Sequence, residues 1–244
     1  MSSHLRRVAI VVAVLWLWSG LAGRAEAGVI LETPAGLNPG DHFRFVFVTD
    51  GVRDATSTNI ADYDSFVDAQ AGGATYGGLV VDWLAIGSTD SVDAIQHVGQ
   101  ATAPVYLSDG TLVTSATTPT GLWSGALVHE IKLDLAANLV QTFAWTGTNP
   151  TGTGFGGALG VATPSVGSTV DSDAAWIASG RSNSRDLRPF YGISAVLTVP
   201  QNTVIEPSTL SMLGAALCVG ISGGWSRRRR EQQRAGGTGS GRGS

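Results

Sequence analysis

Residues 43–48 are apolar or aromatic at every position except Arg44, which predicts a buried strand. Thr58 or Asn59 can cap a helix. Beyond them Ile60, Tyr63, Phe66, Val67 and Ala71 recur on one helical face, and Gly72-Gly73 ends the run. Residues 79–86 predict a second strand, and Ser91 can cap a short helix through Val98. Residues 104–107 and 111–113 flank Ser108-Asp109-Gly110, a hairpin signal. Phe143–Trp145 reads as a strand, and residues 191–199, rich in β-branched side chains, read as the last one. Residues 147–170 are mostly glycine, threonine, serine and proline, which predicts a long surface loop. One helix against several irregular strands with long loops is an α+β layout.

Composition narrows the chemistry. Of the 244 residues, 43% are apolar and 14% charged, against about 25% charged in an average domain. Cys218 is the sole cysteine, so an intrachain disulfide framework and a cysteine-rich zinc site are both excluded. Charge is zoned. The first 27 residues sum to +2. Residues 28–203 hold six basic and sixteen acidic groups, and the tail carries six arginines against Glu231. An acidic body repels a phosphate backbone, so nucleic acid is not an expected partner.

Both ends read as addresses. Arg6-Arg7, an apolar run over residues 8–18 and the small residues Ala25 and Ala27 fit a secretory signal peptide over 1–27, cleaved after Ala27. Near the other end come Ile205-Glu206-Pro207-Ser208, then an uncharged stretch over 210–225, then Arg227, Arg228, Arg229 and Arg230. That stretch is short for a membrane helix, which needs roughly 17–25 residues. Its small residues suit close packing in lipid, and the arginines would hold its end on the cytoplasmic side. Residues 232–244 read as a disordered cytoplasmic tail.

The order Glu206-Pro207, apolar segment, arginine block resembles the PEP-CTERM sorting signal of bacterial exosortase substrates, here over residues 204–231. Ile205 stands where the family pattern has its first proline. The resemblance implies transient insertion in the inner membrane and recognition by an exosortase, with this chain as its substrate. Processing near Glu206-Pro207 would follow, and then delivery to the outer cell surface or extracellular matrix of a Gram-negative-type bacterium.

The body, residues 28–203, carries a second resemblance. Trp83-Leu84-Ala85, Pro104-Val105-Tyr106, Asp109-Gly110, Leu122-Trp123, Trp145-Thr146-Gly147-Thr148-Asn149 with Gly152, Trp176 and Tyr191-Gly192-Ile193 occur in an order similar to the endostatin-like branch of C-type-lectin-like domains. The resemblance implies a single lectin-like domain with long loops. The disulfides and the calcium signature of that fold are absent, so calcium-dependent sugar binding does not carry over.

Each candidate for chemistry has a plainer reading. Gly152-Thr153-Gly154-Phe155-Gly156-Gly157 matches G-x-G-x-x-G, but no strand-to-helix context surrounds it, and a loop is favoured. His42, His97 and His129 include no close-spaced pair, which favours surface or capping roles. Ser124 lacks the spacing of a nucleophile elbow. Asp62, Asp64 and Asp68 read as a solvated acidic face, with Asp64 and Asp68 together at i, i+4. Asp171 and Asp173 are the better loop carboxylates for a cation, yet no metal motif supports them. The body's tryptophans are expected in the core, Trp123 having the best chance of partial exposure.

The expectation is an exported envelope or matrix protein, not an enzyme, with no cofactor. Its loops, with Trp123, Asn149, Asp171 and Asp173 as the candidate ligand surface, would meet an exopolysaccharide or a matrix protein. One alternative is a secreted hydrolase of exopolysaccharide, which needs two facing carboxylates, and another is a purely structural matrix protein with no ligand.

Overall fold

The computed structural model describes residues 28–99, 103–115 and 121–201. The expected signal peptide with Ala25 and Ala27 lies outside these residues. So do the sorting segment with Ile205, Glu206, Pro207, Ser208 and Arg227, Arg228, Arg229 and Arg230, the apolar stretch 210–225 and the tail. Described residues through Pro200 belong to one compact unit. None of their helices is long and apolar enough to cross a membrane.

The architecture is α+β and is organised by one strand, β2 (His42–Val48). Phe43, Phe45 and Phe47 pack into one apolar cluster, whereas Val46 and Val48 pack into another. A strand alternates its side chains between two faces. This one is covered on both, which is why residues 43–48 are apolar at every position but Arg44. Arg44 falls on the Val46–Val48 face and is buried with it.

Four neighbours extend the sheet. On one side β2 pairs antiparallel with β11 (Tyr191–Ser194), and β11 pairs with β5 (Trp83–Ala85). On the other it pairs parallel with β6 (Val105–Tyr106), which turns through the expected hairpin into β7 (Leu112–Thr114). Residues 191–199 are not one strand. Ser194 Oγ takes the Phe45 amide at 2.9 Å in place of a ladder carbonyl, and the Ala195 amide turns away to the Asp82 carbonyl. Pairing with β2 then resumes as β12 (Leu197–Thr198). The side-chain hydroxyl thus stands in for the backbone across a local break.

The helix expected after Asn59 is α1 (Ile60–Gln70). Asn59 Oδ1 accepts the Ala61 amide at 3.2 Å, so this residue is the cap. Tyr63 and Val67 are fully buried against the sheet, each contributing about 1.5–3 kcal/mol of transfer free energy. Gly72 and Gly73, both at positive φ, end the helix. Residues 79–86 break in two, with the exposed β4 (Leu79–Val80) belonging to a small sheet with β1 (Ile30–Leu31) and β3 (Thr75–Tyr76). The short helix is α2 (Ala94–His97), whose cap position is Asp93 and not Ser91.

The expected surface loop over 147–170 is the main correction. It contains β9 (Ser165–Ser168), the central strand of a third sheet between β8 (Phe143–Trp145) and β10 (Gly180–Arg181). A short helix, α3 (Ala175–Ala178), packs on it. Thr148, Ala158 and Leu159 are buried. Threonine hydroxyls make this possible by bonding inside the fold, as Thr148 does to the Thr146 carbonyl at 2.7 Å. Glycines do the rest. A Cβ on Gly167 would stand 2.0 Å from the Trp176 carbonyl oxygen.

Candidate functional site

The residues singled out from sequence do not assemble into one place. Trp123, placed on the candidate ligand surface though its type is expected in the core, is 4% exposed, and its indole N–H donates to the Gly99 carbonyl at 3.3 Å. It belongs to the core beside Trp176, because Gly152 lets the loop close over it. A Cβ at Gly152 would meet Trp123 at 2.9 Å. Asn149 spends its side chain on its own turn, accepting from the Thr151 amide at 2.9 Å and donating to Thr153 Oγ1 at 2.7 Å. Asp173 accepts the Ala175 amide at the start of α3, at 2.9 Å. Asp171 is half-buried, and its charge adds to burial in raising the pKa of the enclosed Tyr191 phenol.

The glycine motif is a packing device. Gly154 donates its amide to Asp93 Oδ1 at 2.8 Å, and a Cβ at Gly157 would stand 2.3 Å from Ser165 Oγ. No helix follows it; the chain runs on to β9. These glycines permit close approach of loop to sheet.

The histidines are held separately. His42 Nδ1 meets Thr198 Oγ1 at 3.0 Å, and His129 Nδ1 lies 2.8 Å from the Leu112 carbonyl. His97 is the exception to a simple surface role. Its Nε2 is 2.9 Å from Asp64 Oδ1, with both side chains under a fifth exposed. The same Asp64 oxygen accepts the Ala85 amide at 2.8 Å. Asp64 is therefore not part of a solvated acidic face. It points inward and ties α1 to α2 and to β5. Among the described residues no three His, Cys, Asp or Glu side chains gather to hold a metal.

The arginines form a second grouping that no sequence motif marks. Of the body's six basic residues, Arg44 is buried and donates to the Ser194 and Val98 carbonyls, each at 2.6 Å. Lys132 pairs with Glu130 at 3.2 Å. The other four lie on two segments that are stitched together. The Arg53 amide reaches the Arg188 carbonyl at 3.0 Å, and the Arg188 amide reaches the Arg53 carbonyl at 3.1 Å. The Ala55 amide also reaches the Ser184 carbonyl, at 2.7 Å.

Within this group the guanidinium groups differ in freedom. Arg53 lies over the Tyr63 ring at 4.7 Å, a cation–π contact, and donates to the Asp62 carbonyl. Arg188 lies 5.7 Å from the Trp145 ring and 6.0 Å from Phe143, donates to Ser182 Oγ at 2.8 Å, and stands 3.7 Å from Asp186. Arg181 and Arg185 are exposed, and among the described residues no hydrogen bond or ion pair engages either guanidinium. Arg181 Nη2 lies near Gly156 and Gly157, where a side chain would crowd it at 3.4–3.5 Å. Phe143, 45% exposed, and Arg188 line a shallow recess of about 200 Å³ with Val166, Ser182 and Arg181. The signal was present in the sequence as three arginines within residues 181–188 of an acidic body.

The sequence matches no protein-family model and no curated protein.

Proposed function

We propose that this chain is an exported, non-enzymatic envelope or matrix protein, sorted by an exosortase and holding an exopolysaccharide or a matrix protein. The observation that carries the binding reading is how the body uses its acids. Asp41 accepts the Asn38 amide, Asp54 the Thr56 amide, Asp93 the Gly154 amide and Asp134 the Asn138 amide. Asp64 and Asp173 hold backbone amides as well. Carboxylates committed to backbone amides, in turns, caps or ties between elements, serve as structure, which favours binding over a hydrolytic acid–base pair.

The proposed architecture is a lectin-like, endostatin-like body. One helix on a central mixed sheet, with long internally bonded loops, supports it. The sorting part rests on the sequence motifs in their order along the chain, Ala25 and Ala27 before the body and Glu206-Pro207 with the arginine block after it.

Intact mass and fractionation of the protein from its host test this reading. Loss of residues 1–27 and of the segment beyond about residue 206, with the body in the matrix fraction, is the expected result. A mass retaining residues 210–244 in the membrane fraction overturns exosortase sorting. Release of new reducing ends from host exopolysaccharide by the pure protein overturns the non-enzymatic role.

A further inference from the structure

We infer that β10 and the loop after it, residues 180–188, form a docking surface for an acidic polysaccharide whose charge is carried by carboxylated sugars. The inference rests on the binding reading above and names the ligand class. Residues 181–188 carry three arginines against one aspartate, within a body where acids outnumber bases sixteen to six. Asp186 is already occupied, accepting from Ser182 Oγ and facing Arg188. Arg181 and Arg185 are left solvent-facing and unengaged, and an arginine fork matches a carboxylate through two parallel N–H···O bonds.

The aromatic neighbour points to a sugar. Phe143 is 45% exposed beside Arg188 and lines the recess that β10 borders. An exposed ring in a recess that the free Arg181 also lines offers an apolar face to a sugar ring and charge to its carboxylate. The recess, about 200 Å³, suits a single sugar unit of a longer chain and not a whole small ligand. A nucleic acid fits less well. Duplex DNA carries one charge per roughly 1.7 Å of axis, so its flanks would run onto the acidic remainder of the body.

The test is binding of the full-length chain, in detergent, to polygalacturonate, with neutral dextran, polyglutamate and single-stranded DNA as comparison probes. Polygalacturonate is expected to bind, to weaken as salt rises, and to bind at least tenfold better than each comparison probe. The double substitution Arg181→Ala, Arg185→Ala is expected to cut that binding about tenfold at an unchanged melting temperature. Phe143→Ala is expected to cut it several-fold. Equal binding by the double variant overturns the proposal and would place any affinity in the C-terminal arginines, which both proteins share. Equal binding to polyglutamate or DNA also overturns it, marking a general polyanion surface. A failure here leaves the sorting test untouched, because that test reads mass and location only.

Discussion

Arg44 donates through Nε to the Ser194 carbonyl at 2.6 Å, and Ser194 Oγ accepts the amide of Phe45, the residue next to Arg44, at 2.9 Å. The two residues close the gap where β11 gives way to β12. Arg44 also reaches the Val98 carbonyl, so one buried guanidinium joins the sheet to the end of α2. Burial lowers its pKa from the usual arginine value to about 10.

Arg44→Ala is expected to cost about 3 kcal/mol. It strands two buried carbonyls and leaves a void, and relief from burying the charge offsets only part of that. A urea denaturation midpoint measures it. A midpoint shift equivalent to under about 0.5 kcal/mol, the range of an ordinary surface change, would rule out the bridging role.

Glycine substitutions should separate by what stands opposite. Gly167→Ala drives a Cβ to 2.0 Å from a backbone carbonyl oxygen, which cannot swing aside, and about 3 kcal/mol or more is expected. Gly192→Ala meets the side chains of Phe47 and Val67 at 2.4 and 2.5 Å, and about 1–3 kcal/mol is expected. Gly180→Ala meets nothing within 4 Å and should be neutral or slightly stabilising. Melting temperatures of the three variants check the order.

Asp64→Ala is expected to cost about 1–3 kcal/mol, because the Ala85 amide and His97 lose their acceptor together. His97→Gln, which leaves the Ala85 bond in place, should cost less. Equal losses would show that the ring contact, and not the amide, carries the tie.

The tyrosines set the alkaline limit. Burial raises Tyr63 to about 12 and raises Tyr106 and Tyr191 as well, so the folded state holds these protons above pH 10 while the unfolded chain releases them. Their contribution is full below pH 10 and is lost as pH climbs toward 12. Arg44 has the opposite sign, since its folded pKa is lowered and stability rises as pH passes from about 10 to its unfolded value. Three raised phenols outweigh one lowered guanidinium, so net stability should fall between pH 10 and 12. Tyrosinate absorbance should rise together with loss of tertiary circular dichroism. Phenol ionisation completed near pH 10 with the fold intact would contradict this.

Local order was legible wherever a single period or a strong turn signal controlled it. The run at 43–48, the cap at Asn59, the face of Tyr63 and Val67, and the Asp109-Gly110 hairpin each depend on neighbours close in sequence. What depended on distant partners was not legible. Residues 147–170 look like solvent-exposed loop because threonine and glycine are polar or small. Only the apposition of Trp176, Ser165 and Trp123 turns that smallness into close packing and those hydroxyls into internal bonds. Asp64 looked solvated until the fold brought His97 and the Ala85 amide to it. The joining of Arg53 to Arg188 spans 135 residues of chain. Sequence separation hides such contacts because nothing local requires them, and the closing of the tertiary structure alone decides which charges are spent inside and which are left to face solvent.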